Sequence, residues 1–550
     1  MRSPNKRFGS IGRLSTSTAI ALVTLAAVTT ASPAQFRPGN MSAGPRAPMM
    51  GSGPNIRGVG PRIQGLKTMS TDGVMSRRTP GKGKVSNNDV SEVPPGQRPP
   101  GKRPPSKRPP GIGPIIGTGV LIGTAGPAIA NSPPPSSFSG PPGSRGAINI
   151  PPNNEQRFVK DEVVLEFAGN FPQPGIAQLL ARHGLIQLEA QTFTLTNSTY
   201  VRARIANRRN VRTALRGLGR EVTLRTGQPN YLYRGSQAAT FAPPAGATPA
   251  ATPVAAAAGA RPAAGDPAQY ALAKLRLNEA HSLSTGDKIL VAVIDSGIDL
   301  SHPELQGVVA GSYDALGKSE KPHSHGTAIA GVIAARARLM GAAPAARILA
   351  IRAFGASGAT AEATTFAVLK SIEYAVTQNA RVINMSFAGP SDPGLSRQLA
   401  AAKAKGAVLI AAAGNFGPKS PPQYPAADPN VIAVSATDAN DKMFKASNIG
   451  PHIAVTAPGV DILLPAPGNE YQLTSGTSFS AAYVSGVAAL VLQRAPGLTP
   501  DAIRDILVST AKDLGPRGKD AEYGAGLVDA YQAIMAVQSN AASASPDVAR

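Results

Sequence analysis

The 550-residue sequence contains no cysteine. This absence excludes a disulfide framework, a thiolate metal site and a cysteine nucleophile. Long, uninterrupted apolar runs are also lacking. The apolar run at residues 19–28 is too short to cross a bilayer comfortably, and glycine and proline interrupt the apolar residues 112–130. We therefore expect no stable membrane span once an export signal has been removed.

Acidic residues are scarce in the first half of the chain. Residues 267–550 carry 23 basic and 22 acidic side chains, whereas residues 1–266 carry 32 basic and only 10 acidic ones. The net charge of +23 therefore belongs almost entirely to the first half. A strongly basic protein invites a nucleic-acid or membrane-surface function. Because the segment with the pattern of a folded core is nearly neutral, we expect no nucleic-acid partner.

The first 153 residues have the composition of an export signal followed by a segment without a core. Residues 1–34 combine a basic start, a short apolar run and small residues suited to cleavage, which is the pattern of a secretory signal; an uncleaved anchor is the alternative. Residues 35–153 are basic and rich in proline and glycine. We predict that they are disordered, because such a composition buries too little apolar surface to offset chain entropy. The protein is expected to be exported to the periplasm, the cell surface or the medium.

Residues 154–236 predict a small α+β domain of the ferredoxin-like type. Alternating apolar and polar positions indicate strands, and longer amphipathic stretches indicate helices. The predicted strands are 161–167, 185–196, 199–205 and 221–226 with 231–233, and the predicted helices are 176–183 and 210–218. This β-α-β-β-α-β order is that of a ferredoxin-like domain. An Ala/Pro-rich linker follows at residues 237–266 and is suited to proteolytic nicking.

Residues 267–540 predict a larger α/β domain. Short apolar runs alternate with segments of helical length, as in a doubly wound, mostly parallel sheet that is buried on both faces. The runs are 289–294, 348–353, 382–385, 408–412 and 431–434. In such sheets, functional residues gather beyond the carboxyl ends of the strands. Functional residues are therefore expected at those ends.

Four polar residues stand at strand ends or helix starts in this domain: Asp295, His325, Asn415 and Ser478. Each has a plain structural explanation. Ser478 can cap a helix, Asp295 and Asn415 can form turns, and His325 can be a satisfied polar residue. Together they offer a second explanation. A neutral imidazole removes the proton of a serine, a carboxylate orients the imidazole, and an amide with a backbone N–H stabilises the oxyanion.

The segments around these residues resemble the subtilisin-like serine proteases, or subtilases, over about residues 269–535. The resemblance covers the order Asp, His, Asn, Ser and the sequence immediately around each of them. The matching blocks are Asp295-Ser296-Gly297-Ile298-Asp299, His325-Gly326-Thr327, Ala413-Gly414-Asn415 and Gly476-Thr477-Ser478. It implies a subtilisin-like fold in which Asp295 orients the base, His325 is the base, Ser478 attacks and Asn415 helps to hold the oxyanion.

The resemblance also implies a substrate cleft and a proenzyme. Ser386, Phe387, Ala388 and Gly389 would bind a protein or peptide substrate on one side, with Ser357 and Gly358 on the opposite rim. The domain at 154–236 has the position and length of a subtilase propeptide, which would assist folding and inhibit the cleft of the same chain. The mature enzyme is expected to be a monomer that needs no cofactor.

This chain departs from the family pattern at several positions. It has Ala328 where the family often shows a second histidine, and Ala482-Tyr483 where Pro-His often follow the nucleophile. The loop 336–341 is short and basic, whereas family members with a strong calcium site usually carry a longer loop with asparagine. Glu304 stands near an expected ligand, but one carboxylate supplies too few oxygens for calcium. We expect no metal at a high-affinity site, while weak calcium binding elsewhere stays open.

The sequence therefore predicts an exported serine endopeptidase that is made as a proenzyme. The alternative is a surface-adhesive protein whose basic, Pro-rich segment binds anionic polymers. A lipase-type esterase is a weaker alternative, because those enzymes place the serine in G-x-S-x-G and before the acid and the histidine in the chain.

Overall fold

The computed structural model describes residues 147–206, 208–235, 265–318, 321–357 and 360–543. The predicted signal peptide, nearly all of the predicted disordered segment and most of the linker lie outside these residues. The N-terminal segment (147–235) forms five strands and two helices. They are β1 (Ala147–Ile148), β2 (Phe158–Ala168), α1 (Gln173–Arg182), β3 (Leu185–Phe193), β4 (Ser198–Ile205), α2 (Val211–Leu218) and β5 (Thr226–Gly235).

The strands of the N-terminal segment lie in the order β3-β4-β2-β5, with antiparallel neighbours. Alternating burial explains this layer, since Val163, Leu165 and Phe167 of β2 are fully buried and face the helices that connect the strands. The second helix begins where the Asn210 side chain accepts a hydrogen bond from the Thr213 N–H, the usual N-terminal cap. The segment is thus a sheet with one face covered by its own two helices.

Two of the predicted boundaries in this segment are wrong. Residues 147–153 were expected to be disordered, yet β1 pairs in parallel with β5 and the Arg212 side chain donates to the Pro151 carbonyl. A Pro-rich composition gives no sign of such long-range backbone pairing. Residues 221–225, which the sequence predicts as a strand, form a turn, and the Glu221 carboxylate at its start accepts from Arg182 and His183.

The main domain (265–543) contains twelve further strands and eight further helices among the described residues. The strands are β6 (Leu290–Asp295), β7 (Val309–Asp314), β8 (Arg347–Arg352), β9 (Gly355–Ser357), β10 (Thr360–Thr364), β11 (Val382–Met385), β12 (Phe387–Ala388), β13 (Val408–Ala412), β14 (Ile432–Thr437), β15 (Ile453–Pro458), β16 (Ile462–Ala466) and β17 (Glu470–Thr474). The helices are α3 (Tyr270–Lys274), α4 (Leu277–His281), α5 (Ser324–Ala334), α6 (Thr365–Thr377), α7 (Pro393–Ala404), α8 (Thr477–Arg494), α9 (Pro500–Ser509) and α10 (Ala530–Ser543). A short 3-10 helix spans Pro303–Leu305.

A seven-stranded parallel sheet in the order β15-β14-β13-β11-β6-β8-β7 forms the centre of the main domain. The parallel α/β architecture predicted from the apolar runs is confirmed. Successive side chains of β6 enter different cores: Val291 and Val293 join one cluster, and Ala292 and Ile294 join the other. Both faces are therefore buried, which is why these strands read as continuous apolar runs.

Helix α8 runs through the core of the main domain. All of its residues from Thr477 to Leu492 are buried, and its small side chains let it pack closely against α5 and against strands β11, β13, β14 and β15. Among the described residues, no helix has both the length and the hydropathy that crossing a membrane requires. Burial of α8 in the core of the main domain fixes the position of its first turn, which carries Ser478.

The N-terminal segment packs on the main domain through α6 and α7. The sheet face that α1 and α2 leave uncovered contributes Val164, Phe193 and Tyr200, which form a buried cluster with Phe366 and Leu369 of α6. In addition, β5 pairs with β10 and with β12, so one sheet extends from the N-terminal segment into the main domain. Both apolar burial and backbone pairing hold the two parts together.

The close approach of α8 to a neighbouring loop gives a test of this packing. A methyl group added at Gly486 would lie 2.4 Å from the Ala342 Cβ, so Gly486→Ala should lower the free energy of unfolding by about 1–3 kcal/mol through overpacking. Gly497→Ala is the matched control, because its new Cβ would meet no atom within 4 Å. Urea unfolding of the two variants measures the difference. Equal stabilities would contradict the packing described for α8.

Candidate active site

Asp295 is the last residue of β6, at the carboxyl end of the sheet, and only 4% of it is exposed. A buried carboxylate needs donors, and three reach the same oxygen. Oδ1 accepts from the Ser296 N–H (2.7 Å), from the Ser296 hydroxyl (3.0 Å) and from His325 Nδ1 (2.8 Å). Asp295 is therefore a buried acceptor that holds a histidine ring.

His325 is the second residue of α5 and is almost as buried as Asp295. The start of α5 lies close to the end of β6, because a Cβ at Gly326 would be only 2.6 Å from the Ser296 carbonyl oxygen. Only glycine permits this approach. The sequence His325-Gly326 thus places the imidazole against the carboxylate.

The tautomer of His325 follows from its partners. A carboxylate oxygen can only accept, so Nδ1 carries the proton in the hydrogen bond to Asp295. In the neutral ring, Nε2 then bears the lone pair. Nε2 is buried and has no hydrogen-bond partner among the described residues. The arrangement leaves a base at Nε2 whose ring orientation is fixed from the other side.

His323 supports this arrangement from the helix cap. Its Nδ1 accepts a hydrogen bond from the His325 N–H at 3.2 Å. Burial lowers the pKa of His323, repulsion from a protonated His325 would lower it further, and the charge of Asp295 acts in the opposite direction. A neutral His323 is the form that can accept this bond, so the shift favours the ring in the state that caps α5.

Ser478 lies in the first turn of α8 and is fully buried. It is linked to Ser386 in both directions: the Ser478 hydroxyl donates to the Ser386 carbonyl at 3.3 Å, and the Ser386 hydroxyl donates to the Ser478 carbonyl at 3.0 Å. The Ser386 hydroxyl also accepts from Asn384. The next residue of the helix, Phe479, lies with its ring centroid 6.1 Å from that of His325. The structure thus brings the first turn of α8 beside the histidine.

The orientation of the Asn415 amide is set by Thr477. Asn415 Oδ1 accepts from the Thr477 N–H at 3.1 Å and from the Thr477 hydroxyl at 2.9 Å. Because a backbone N–H can only donate, the end of the amide that faces Thr477 is the oxygen. The Nδ2 group is therefore the end of the amide that does not face Thr477.

Asp295, His325 and Asn415 line a cavity of about 190 Å³. Phe416, which is 53% exposed, lies at the cavity. Ser478 is joined to the cavity wall through the backbone of Ser386. The polar wall residues of the main domain are Asp295, His325, Ser386 and Asn415, and Arg234 and Gly235 are contributed by the N-terminal segment.

The end of β5 occupies the cleft that the sequence predicts for substrate. Gly235 pairs with Phe387, and Arg234 pairs with Ala388 on one side and with Glu362 on the other. The predicted wall Ser386 to Gly389 therefore lies beside an extended strand. On the opposite side, that strand pairs with β10.

Of the two residues predicted for the opposite rim, the structure describes only Ser357. Ser357 is in β9, which pairs with β10 and not with β5, and Gly358 is outside the described residues. The alternating Thr360-Ala361-Glu362-Ala363-Thr364 is the signal that could have identified β10 as the rim strand.

Asp392, immediately before α7, is a buried residue that the sequence analysis missed. Asp392 Oδ1 accepts from the Leu395 N–H at 3.0 Å, as expected of an aspartate before Pro393 at a helix start. Its other oxygen accepts from the Thr365 hydroxyl (2.6 Å) and from the Tyr233 hydroxyl (3.0 Å). The motif predicts the cap, but no local signal reveals the contact with a distant strand.

The short loop after α5 is organised by Glu304. This carboxylate is fully buried. Four groups donate to it: the N–H groups of Ala337, Arg338 and Leu339 and the hydroxyl of Tyr471, each at 2.9 Å. Both oxygens are thus occupied by protein donors. Among the described residues, no group of three or more His, Asp or Glu side chains could hold a metal ion.

Comparison with known proteins places the main domain in a family. Residues 286–526 match the model of the subtilase family. The chain is 36% identical over 278 residues to subtilisin NAT of Bacillus subtilis subsp. natto, and the aligned region covers 48% of this chain and 71% of that protein. It is 36% identical over 275 residues to thermitase of Thermoactinomyces vulgaris, and the aligned region covers 48% of this chain and 96% of that protein.

A solved structure agrees in fold. Fervidolysin of Fervidobacterium pennivorans, a keratinolytic enzyme related to subtilisin, superposes with a TM-score of 0.61 at 24% identity. The match covers 72% of this chain and 63% of fervidolysin. At this identity the likeness supports the fold alone.

The parallel sheet and the family match define a serine endopeptidase. The chain belongs to the subtilase family, as the sequence blocks around Asp295, His325, Asn415 and Ser478 predict.

Proposed function

We propose that this chain is the proenzyme of a serine endopeptidase in which Ser478, His325 and Asp295 act as nucleophile, base and orienting acid. The observation that carries the proposal is the buried pair of Asp295 and His325, joined at 2.8 Å, with His325 Nε2 left as an acceptor at the cavity. A buried imidazole with one nitrogen fixed by a carboxylate has the form that proton transfer requires.

The proposed reaction proceeds through an acyl-enzyme. His325 Nε2 takes the hydroxyl proton of Ser478 while the Ser478 oxygen attacks the peptide carbonyl carbon. The Asn415 Nδ2 group and the Ser478 N–H donate to the oxyanion that forms. The imidazolium then returns its proton to the leaving amine, and the C–N bond breaks. Water, deprotonated by the same nitrogen, hydrolyses the ester and releases the second product.

The N-terminal segment is proposed to be the propeptide and the inhibitor of its own chain. Two contacts support this role: β5 lies as an extended strand in the cleft, and Gly235 reaches the cavity that holds His325. Release would require a cut between about residues 235 and 268, the stretch where the sequence predicts an accessible linker.

Export and the monomeric state stay predictions from the sequence. The adhesive alternative concerns residues that lie almost wholly outside those that the structure describes, and no observation on the described residues favours it.

The role of Ser478 is tested with a matched serine. Ser478→Ala should lower kcat/KM for a fluorogenic peptide by more than about 10³-fold, because the attacking oxygen is lost. Ser480 lies in the same buried turn, and its hydroxyl donates to the Ala457 carbonyl. Ser480→Ala should therefore keep most of the activity. Similar losses in both variants, with circular dichroism like that of the wild type, would contradict the assignment.

The loop 336–341 is proposed to need no calcium, because the Glu304 carboxylate, which stands near an expected calcium ligand, already accepts from three N–H groups of this loop. Glu304→Gln should lower the free energy of unfolding by about 1–3 kcal/mol, since it replaces an acceptor with a donor. The control is the exposed Glu470→Gln.

Chelation of calcium by EDTA tests whether Glu304 only accepts from the N–H groups of the loop or is also a calcium ligand. We expect EDTA to leave the thermal unfolding of the wild type and of Glu304→Gln equally unaffected. If EDTA destabilised the wild type but not Glu304→Gln, then Glu304 would be a calcium ligand and the proposal would be wrong.

A further inference from the structure

The side chain of Tyr233 fills a pocket in the cleft wall. Tyr233 is fully buried, and its backbone pairs with Ala363 of β10. Its ring meets the ring of Phe387 edge to face, with centroids 5.8 Å apart. A Cβ at Gly389 would lie 2.4 Å from the tyrosine ring. The pocket thus accommodates an aromatic ring, and only glycine at position 389 leaves room for that ring.

The polar end of this pocket is a carboxylate. The Tyr233 hydroxyl donates to Asp392 Oδ2 at 3.0 Å, and Asp392 is only 1% exposed. Burial, the charge of Asp392 and this hydrogen bond together raise the pKa of Tyr233 well above its ordinary value. The hydroxyl therefore stays protonated and remains a donor to the carboxylate.

The cap of α7 does not explain this geometry. Capping uses Asp392 Oδ1, which accepts from the Leu395 N–H, whereas Oδ2 is directed to Thr365 and Tyr233. The N-terminal segment also supplies the Gln228 side-chain amide to Oδ1. When that segment leaves, Asp392 keeps the donors from the main domain and loses those from Gln228 and Tyr233. A buried carboxylate that has lost donors favours a ligand that restores one.

We propose that Asp392 is a specificity-determining residue that selects tyrosine in the substrate at the position that Tyr233 occupies. This inference rests on the proposed function, in which a substrate strand replaces β5 between β10 and β12. A substrate tyrosine restores a donor to the carboxylate. Phenylalanine fills the same pocket, but it has no hydroxyl to donate to the Asp392 carboxylate, which is then buried with one donor fewer. Sites that bind a substrate hydroxyl discriminate strongly against the analogue that lacks it.

The chain's own sequence supplies the test peptide. Two fluorogenic peptides span residues 228–242 and differ only at position 233, which is tyrosine in one and phenylalanine in the other. Both carry Tyr231→Phe, so that no second tyrosine can enter the pocket in a shifted register. The full chain is incubated until its peptidase activity is constant, and kcat/KM is measured for each peptide. Because the result is a ratio, the fraction of active enzyme cancels.

The wild type should prefer the tyrosine peptide by about tenfold or more, as expected for a hydrogen bond to a charged group. Asp392→Asn should reduce the preference to less than about threefold. In this variant, the oxygen of the Asn side chain keeps the hydrogen bond from the Leu395 N–H. Its NH2 group, a donor, then stands where Asp392 Oδ2 accepts from Tyr233 in the wild type. Asp428→Asn is the matched control and should keep the wild-type ratio, because Asp428 is also buried but accepts from Asn430.

The possible failures are distinguishable. Equal cleavage of the two peptides by a wild-type enzyme that a serine-directed phosphonate labels would overturn the selection of tyrosine alone. A full preference that persists in Asp392→Asn would overturn the role of Asp392. Neither cleavage nor labelling of the wild type would refute the proposed function and this inference with it.

Discussion

The hydrogen bond between Asp295 and His325 is the interaction around which the site is built. It joins a carboxylate at the end of a buried strand to an imidazole at the start of a buried helix, and neither group is accessible enough for water to replace the other. Its geometry depends on Gly326, which lets α5 approach β6, and on the small residues that let α8 pack beside α5. The position of the His325 ring thus depends on the end of β6, on the starts of α5 and α8, and on Gly326.

The cleft beside this pair is the second constraint. A strand that enters between β10 and β12 completes its backbone hydrogen bonds on both sides, so the same edges can serve any extended chain. In the account proposed above, β5 is the first such chain and a substrate is the next. Carboxylates on the main-domain side also hold the N-terminal segment, and Glu373 accepts from the Thr194 N–H and hydroxyl. Release of the segment would therefore uncover acceptors as well as apolar surface.

Local sequence signals predicted much of this architecture. Apolar runs revealed five of the seven strands of the main sheet, because parallel strands buried on both faces leave a continuous pattern. They missed β7, which is only partly buried, and β15. Asp295 and His325 were found because they follow a strand and begin a helix. The pairing of β1 with β5, the exchange of hydrogen bonds between Ser386 and Ser478 and the contact of Asp392 with Tyr233 were not found. These contacts join residues far apart in the chain, and nothing in either local segment encodes the partner.

The central claim is that Ser478 is a nucleophile whose cleft is closed by the chain's own strand. The most direct measurement is the rate at which a serine-directed phosphonate labels the full chain before and after processing of the linker, with the adduct located by peptide mass mapping. The account predicts slow labelling before processing, labelling faster by at least about tenfold afterwards, and a single adduct at Ser478. Equal rates before and after processing, or an adduct at another serine, would contradict it.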